Sequence, residues 1–218
     1  IHNPIDLDAI RTASKSPLPK NVESFINKFP TIIGVGRLEW QKNFSLLLDA
    51  HALLLQRGFE VGCCIVGEGS ERELLEAKAA ELGTSECVLL PGFLNPYPAM
   101  SCARVLAQSS HFEGLPLVLV EALALGVPIV AVDCPSGPSE ILASGRYGIL
   151  TPPDAVKLAE GIEHYLLHKA LEKERDRLRK RAECFSLARL FPVWLNLLYP
   201  SNQPVDKDGN KHTRVGLQ

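Results

Sequence analysis

Residues 31–67 read TIIGVGRLEWQKNFSLLLDAHALLLQRGFEVGCCIVG and decide the fold class. The apolar run at 31–36 predicts a strand, apolar residues at helical spacing predict a helix over 44–57, and the apolar run at 60–67 predicts a second strand. Gly58 follows the helical pattern at a position where glycine commonly ends a helix. Strand, helix and strand in this order predict a right-handed βαβ unit with parallel strands.

The same alternation continues toward the carboxyl terminus. Helices are predicted over 71–82 and 116–125, and further strands over 87–91, 104–108, 128–132 and 147–150. Several of these strands are nearly continuous apolar runs, as expected when helices cover both faces of a sheet. The sequence therefore predicts an α/β fold: a Rossmann-like parallel sheet of about six strands flanked by helices, with a helical carboxyl-terminal extension over 153–198.

The two ends of the chain differ from this α/β region. Residues 1–30 are predicted to form a linker and a helical segment, in which Asp6 begins a short helix that the prolines at 17 and 19 end. Residues 31–200 form the sheet domain with its carboxyl-terminal helices. The polar segment 201–218 has no hydrophobic periodicity and is predicted to be disordered or loosely docked.

Composition and charge limit the class of partner. The net charge of -2 provides no basic field for nucleic acid. The longest apolar stretch, 116–132, contains Glu121 and a Gly-Val-Pro break, so no transmembrane segment is predicted. No signal peptide is predicted either, and a cytoplasmic location is expected. The six cysteines include the adjacent Cys63 and Cys64 but no C-x-x-C pair, which favours reduced thiols over disulfides or a metal site.

Polar residues follow the predicted strands, and ligands bind beyond the carboxyl ends of strands in open parallel sheets. Arg37 and Lys42 follow the first strand, and the fourth strand leads into Ser-Ser-His-Phe-Glu-Gly at 109–114. A guanidinium and an ammonium on one loop suit a diphosphate, and Gly34 and Gly36 allow a ligand to approach the backbone closely. Two ordinary surface cations near a turn are an equally good interpretation of this pair.

Two glutamates flank the start of the helix predicted over 116–125. Glu113 lies in the preceding loop, whereas Glu121 lies in the second turn among apolar residues. A carboxylate there needs a partner, and the vicinal hydroxyls of a ribose are suitable donors. A buried acid paired with a basic side chain or with backbone N–H groups is the other interpretation. The amino end of this helix, at Leu115 and Leu117, offers N–H groups to a phosphate.

A dinucleotide-binding enzyme is an alternative that the sequence disfavours. Gly34-x-Gly36 after a strand matches the start of the dinucleotide fingerprint, which requires a third small residue three positions later. Glu39 occupies that position. Its carboxylate would repel a pyrophosphate and its size would prevent close packing.

Six motifs in register resemble family 4 glycosyltransferases of the GT-B fold. They are Asn3-Pro4-Ile5-Asp6; Val35-Gly36-Arg37-Leu38 with Lys42; Val66-Gly67-Glu68-Gly69; Pro91-Gly92-Phe93; Phe112-Glu113-Gly114-Leu115-Pro116 running to Glu121-Ala122; and Gly126-Val127-Pro128 before Asp133-Cys134. The match runs from Asn3 to about Tyr199. It is closest to bacterial enzymes that build cell-surface polysaccharides, lipopolysaccharides and lipid-linked glycans.

The resemblance implies a role for each matching residue. Arg37 and Lys42 would neutralise the leaving diphosphate, Glu113 would lie near the transferred sugar, and Glu121 would bind the ribose. Phe93 falls where backbone groups read the base. The remaining donor contacts would come from Gly36, Gly114, Leu115 and Leu117. His111 has no role in the family pattern and is predicted to be structural.

The resemblance also implies a retaining, metal-independent transfer that needs no cofactor besides the nucleotide-sugar donor, with a UDP-sugar favoured. An acceptor domain would precede Ile1 and hold a glycan or lipid-linked acceptor, so this chain alone would bind the donor but transfer little. The last helix, 191–199, would cover that domain and expose apolar residues including Trp194. The enzyme would lie in the cytoplasm or at the inner face of the membrane.

Two other functions stay open on the sequence alone. A sugar-nucleotide epimerase of the same two-domain fold would release free nucleotide from a nucleotide sugar without an acceptor. A non-catalytic binding module would bind its ligand equally well after Arg37→Ala or Glu121→Ala.

Overall fold

The structure is a computed structural model that describes residues 3–168 and 170–199. Six strands form one sheet in the order β3-β2-β1-β4-β5-β6, and every neighbouring pair is parallel. The strands are β1 (Thr31–Val35), β2 (Gly62–Val66), β3 (Val88–Gly92), β4 (Val105–Gln108), β5 (Ile129–Val132) and β6 (Ile149–Thr151). The chain winds outward from β1 to β3 and then returns to β4, so β1 and β4 border the crevice where such sheets bind ligands.

Helices cover both faces of the sheet. They are α1 (Leu7–Ala13), α2 (Lys20–Lys28), α3 (Phe44–Gln56), α4 (Arg72–Glu81), α5 (Tyr97–Cys102), α6 (Leu117–Leu125), α7 (Pro138–Ile141), α8 (Ala155–Leu167), α9 (Glu172–Ala182) and α10 (Leu187–Leu198). One hydrophobic core lies under α1, α2, α5, α6, α7 and α9, which we call the α6 layer. The second core lies under α3, α4 and α8, which we call the α3 layer. The predicted α/β fold is confirmed.

The adjacent cysteines of β2 show that this strand contributes side chains to both hydrophobic cores. Cys64 is buried in the core of the α6 layer and Cys63 in that of the α3 layer, because successive strand residues point to opposite faces. Burial raises the pKa of both thiols, so neither is a reactive thiolate near neutral pH. Among the described residues, all six cysteines are free thiols, as the sequence suggests.

Four helices, α1, α2, α5 and α7, differ from the sequence-based prediction. The first helix ends at Ala13, before the prolines, and Pro19 instead stands at the amino end of α2, which was not predicted. Neither α5 nor α7 was predicted: they contain six and four residues and have no side-chain cap, so they carry little periodic signal. The predicted extension over 153–198 divides into α8, α9 and α10, and the polar tail 201–218 lies outside the described residues.

The segment at Ile5 joins the start of α10. The Ile5 N–H donates to the Phe185 carbonyl at 3.0 Å, and the Leu187 N–H donates to the Ile5 carbonyl at 2.8 Å.

Helix α10 exposes apolar side chains that include Phe191, Leu195 and Leu198. Trp194 is partly buried, so the predicted exposure of its side chain is only partial. No helix in the part of the chain that the structure describes is both long and apolar enough to cross a membrane.

Candidate active site

A buried ion pair joins the loops that follow β1 and β4. The Lys42 Nζ donates to Glu113 Oε1 at 2.7 Å, and the Glu113 side chain is only 6% exposed. Ser110 Oγ and Gln108 Nε2 donate to the same oxygen at 2.7 and 3.2 Å. Glu113 is thus a buried carboxylate with three donors, which satisfies the requirement that a buried charge be paired and hydrogen-bonded.

Local structure explains why Lys42 reaches Glu113. Residues Trp40–Lys42 form a 3-10 turn, and Asn43 adopts a left-handed conformation (φ 47°) at the start of α3. The Ser109 Oγ donates to the Lys42 carbonyl at 3.0 Å, which fixes this turn to the loop after β4. A Cβ at Gly36 would lie 3.2 Å from the Lys42 side chain, so glycine there leaves room for the lysine stem to cross the backbone. The approach of a ligand to the backbone at Gly36 stays a prediction.

Arg37 is not part of this network. Its side chain is 68% exposed, and its guanidinium lies 3.1 Å from the carboxylate of Glu39. The predicted diphosphate pair therefore consists of two cations that are each held by a different carboxylate. Exposed pairs of this kind contribute little to stability, so Arg37 is available to exchange Glu39 for another anion.

Glycines pack the loops after β1 and β2 against each other. The Gly36 N–H donates to the Val66 carbonyl at 3.0 Å. A Cβ added at Gly67 would stand 1.8 Å from the Gly36 carbonyl oxygen, and one at Gly69 would stand 2.3 Å from the Leu38 carbonyl oxygen. These backbones approach too closely for any side chain, and this contact supports the loop that carries Arg37.

Glu121 has a partner that the sequence did not reveal. The Tyr97 hydroxyl, on α5, donates to Glu121 Oε1 at 3.2 Å. Burial raises the pKa of Glu121, and this hydrogen bond lowers it by a smaller amount. Burial, with the Glu121 charge next, raises the pKa of Tyr97 to about 12. Neither a basic side chain nor a backbone N–H holds Glu121 in the described contacts, so its carboxylate keeps acceptor capacity for a ligand.

The raised pKa of Glu121 predicts a pH-dependent stability. Because the folded-state pKa lies above the unfolded one, the folded state binds the proton more tightly, and this stabilisation is lost as pH rises through the folded pKa. Glu121→Gln removes the titration and keeps an acceptor for Tyr97. We expect urea denaturation to show the variant gaining stability over the parent chain as pH rises from about 4 to 8. A constant difference across that range would contradict the burial effect.

The other predicted residues lie around the same edge. Phe93 follows β3 and is 89% exposed. Gly114 is exposed, Leu115 is half-buried, and Leu117 begins α6, whose amino end has no side-chain cap. The loop after β5 packs onto this end, since a Cβ at Gly137 would lie 2.3 Å from Pro116 Cδ. The uncapped N–H groups at Leu115 and Leu117 are suited to an anion.

Cys134 adjoins the ion pair. Burial raises the pKa of its thiol, and the charge of Glu113 adds to the effect. Within residues 3–168 and 170–199, no three His, Cys, Asp or Glu side chains are grouped so as to hold a metal ion.

Comparison with known proteins adds a family match. The family model described as "Glycosyl transferases group 1" matches residues 19–184. This range includes both loops of the ion pair, Glu121, and every strand of the sheet.

Two named bacterial enzymes are among the similar proteins. The N-acetylgalactosamine-N,N'-diacetylbacillosaminyl-diphospho-undecaprenol 4-alpha-N-acetylgalactosaminyltransferase of Campylobacter jejuni is 33% identical over 193 residues, which cover 87% of this chain and 50% of that protein. The lipopolysaccharide 1,6-galactosyltransferase of Salmonella typhimurium is 30% identical over 210 residues, covering 93% of this chain and 55% of that protein. The chain thus spans about half the length of these relatives.

A solved structure shares the fold. The pneumococcal O-GlcNAc transferase GtfA, crystallised in complex with UDP and GlcNAc, superposes with a TM-score of 0.71 at 25% identity, over 79% of this chain and 36% of that one.

Proposed function

Because this chain belongs to the group 1 glycosyl transferases, we propose that it is the donor-binding part of a retaining, metal-independent enzyme that transfers a sugar from a nucleotide-sugar donor. The observation that carries this proposal is the buried Lys42–Glu113 pair at the carboxyl ends of β1 and β4, beside the uncapped amino end of α6. Negative charge develops on the diphosphate as it leaves. Fixed cations and backbone N–H groups that lie together stabilise this charge.

We assign the parts of a nucleotide sugar to residues along the edge of the sheet. Phe93 follows β3, Lys42 follows β1 and Glu113 follows β4, and these strands occur in that order across the sheet. We assign the base to the backbone beside Phe93 and the ribose hydroxyls to Glu121. The diphosphate is assigned to Arg37, Lys42 and the amino end of α6, and the sugar to Glu113.

Several comparisons support a UDP-sugar donor and a glycan acceptor. GtfA was crystallised with UDP, and the two relatives are named as transferases of galactose and N-acetylgalactosamine. Their names place their acceptors on lipopolysaccharide or on an undecaprenol diphosphate. We propose bacterial surface polysaccharide synthesis as the setting, with an acceptor domain packed on the apolar face of α10. A location at the inner face of the membrane fits a lipid-linked acceptor.

The ion pair has a definite part in the proposed chemistry. Glu113 holds the Lys42 ammonium in place before the donor binds, so little reorganisation is needed when the diphosphate departs. Ser110 and Gln108 keep the Glu113 carboxylate oriented through its Oε1. Arg37 releases the Glu39 carboxylate and binds a phosphate of the donor instead, which adds a charge-assisted hydrogen bond to the diphosphate.

Arg37→Ala tests this proposal without disturbing the fold. The side chain is exposed and paired only with Glu39, so we expect unfolding by urea to be unchanged within about 0.5 kcal/mol. Calorimetric titration should show UDP binding about tenfold weaker, because one charge-assisted hydrogen bond is lost. Glu39→Ala is the matched control, since it removes the same surface pair and leaves Arg37 free to bind UDP at least as tightly as the parent chain.

Other outcomes of the titration point to other functions. Binding of NAD in place of UDP or GDP would refute the proposal. UDP binding that is equal in the parent chain, Arg37→Ala and Glu121→Ala would favour a non-catalytic module. Release of free UDP from a UDP-sugar without an acceptor would favour the epimerase.

A further inference from the structure

Three aromatic rings form an exposed surface beside the ion pair. Trp40 is 63% exposed, and both His111 and Phe112 are exposed as well. The Trp40 and His111 ring centroids are 4.4 Å apart with the planes inclined by 29°, and the Trp40 and Phe112 centroids are 6.1 Å apart. We call these three rings the aromatic platform. Large aromatic rings that are exposed together at the edge of the sheet where ligands bind indicate a ligand-binding surface.

Hydrogen bonds between two loops hold the platform rigid. The backbone N–H of His111 donates to the Gln41 carbonyl at 2.9 Å, and Gln41 Nε2 donates to the Phe112 carbonyl at 3.0 Å. The bond from Ser109 to the Lys42 carbonyl fixes the same pair of loops. Binding on a preformed surface avoids most of the entropy that ordering flexible loops would cost. The platform is therefore formed before any ligand arrives.

Trp40 and the groups assigned to the ribose lie toward different layers. Trp40 stands in the turn between Leu38 and Phe44, both of which are buried in the core of the α3 layer. Tyr97 and Glu121 belong instead to α5 and α6, which pack in the α6 layer. The ion pair, assigned to the diphosphate and the transferred sugar, connects the loop that carries Trp40 to the loop that leads into α6.

We propose that the aromatic platform stacks against a pyranose ring of the acceptor glycan. This inference rests on the proposed function: a retaining transfer brings the acceptor hydroxyl to the face of the sugar that the diphosphate leaves, and the platform borders the ion pair assigned to the diphosphate and the sugar. A pyranose presents an apolar C–H face bounded by hydroxyl groups. Tryptophan, histidine and phenylalanine rings offer a flat apolar face, and the first two add a polar edge.

Saturation-transfer NMR on this chain tests the platform with defined probes. The probes are the methyl glycosides of glucose, galactose, N-acetylglucosamine, N-acetylgalactosamine, mannose and rhamnose, each with and without UDP. Irradiating the aromatic protons of the protein should transfer saturation to the ring C–H protons of at least one probe. Trp40→Ala should remove at least nine-tenths of that signal and change the UDP dissociation constant less than twofold. Phe191→Ala removes an exposed aromatic ring of α10, outside the assigned site, and should leave the sugar signal intact.

The outcomes separate this inference from the proposed function. Sugar contact that persists in Trp40→Ala, or no transfer to any probe, would overturn the platform as an acceptor site. Loss of the sugar signal in Trp40→Ala supports it even if UDP fails to bind. Failure of UDP to bind counts against the donor site alone.

Discussion

Lys42→Met is expected to lower the free energy of unfolding by about 3 kcal/mol, because it leaves Glu113 as an uncompensated buried charge. The Glu113 side chain is nearly inaccessible to water, and the lysine supplies the only formal positive charge among its three described donors. The same change should weaken UDP binding by about a hundredfold, since the ammonium assigned to the diphosphate is lost. Urea denaturation and calorimetric titration measure the two effects.

The double variant Lys42→Met with Glu113→Gln separates stability from binding. Removing both charges from a buried pair is often close to neutral, so most of the lost stability should return. UDP affinity should stay low, because no ammonium is restored. Recovery of UDP binding together with stability would show that Lys42 acts only by supporting the fold. If Lys42→Met alone were as stable as the parent chain, the ion pair would be more hydrated than its burial indicates.

Gly67→Ala should destabilise the chain by about 3 kcal/mol or more, because the new Cβ would lie 1.8 Å from the carbonyl oxygen of Gly36. That oxygen is backbone, so relief requires the loops after β1 and β2 to separate. Since the Lys42 stem crosses Gly36, the separation should also displace the ammonium and weaken UDP binding. Thermal denaturation followed by circular dichroism reports the loss of stability.

Gly58→Ala is the matched control for this substitution. Gly58 also has a positive φ, of 88°, but a Cβ there would meet nothing within 4 Å. Its cost is limited to backbone strain of about 1 kcal/mol. Equal losses for the two variants would mean that the close approach of the two loops is not what makes Gly67 necessary.

The sheet could be predicted because its signal is local. Helix α3 and strands β1 and β2 carry hydrophobic periodicities that burial requires, and their predicted bounds agree with the structure to within two residues. Helices α5 and α7 could not be predicted in this way, since each is only one or two turns long. Their conformation depends on packing: Met100 is fully buried in the core of the α6 layer, as is Ile141.

The predicted site stays a prediction, and the contacts that its residues make could be predicted only in part. The rule that ligands bind beyond parallel strands placed Lys42 and Glu113 after two different strands, yet their direct pairing is a tertiary contact across 71 residues that no spacing indicates. The partner of Glu121 could not be found for the same reason, because Tyr97 belongs to a helix that the sequence does not signal. Arg37 appeared equivalent to Lys42 in sequence, and only the fold shows that one cation is exposed and the other enclosed.

The contact between Ile5 and the start of α10 bears on how such enzymes diversify. The chain enters this domain at Ile5 and leaves its core at Leu187, and the two points are joined by backbone hydrogen bonds of 3.0 and 2.8 Å. When the points where the chain enters and leaves a structural unit lie side by side, that unit can be exchanged between genes without moving the flanking segments of the chain apart. Under the proposed function, recombination at this one seam would let a single donor-binding module serve many acceptors, and the fold would not have to be rebuilt each time.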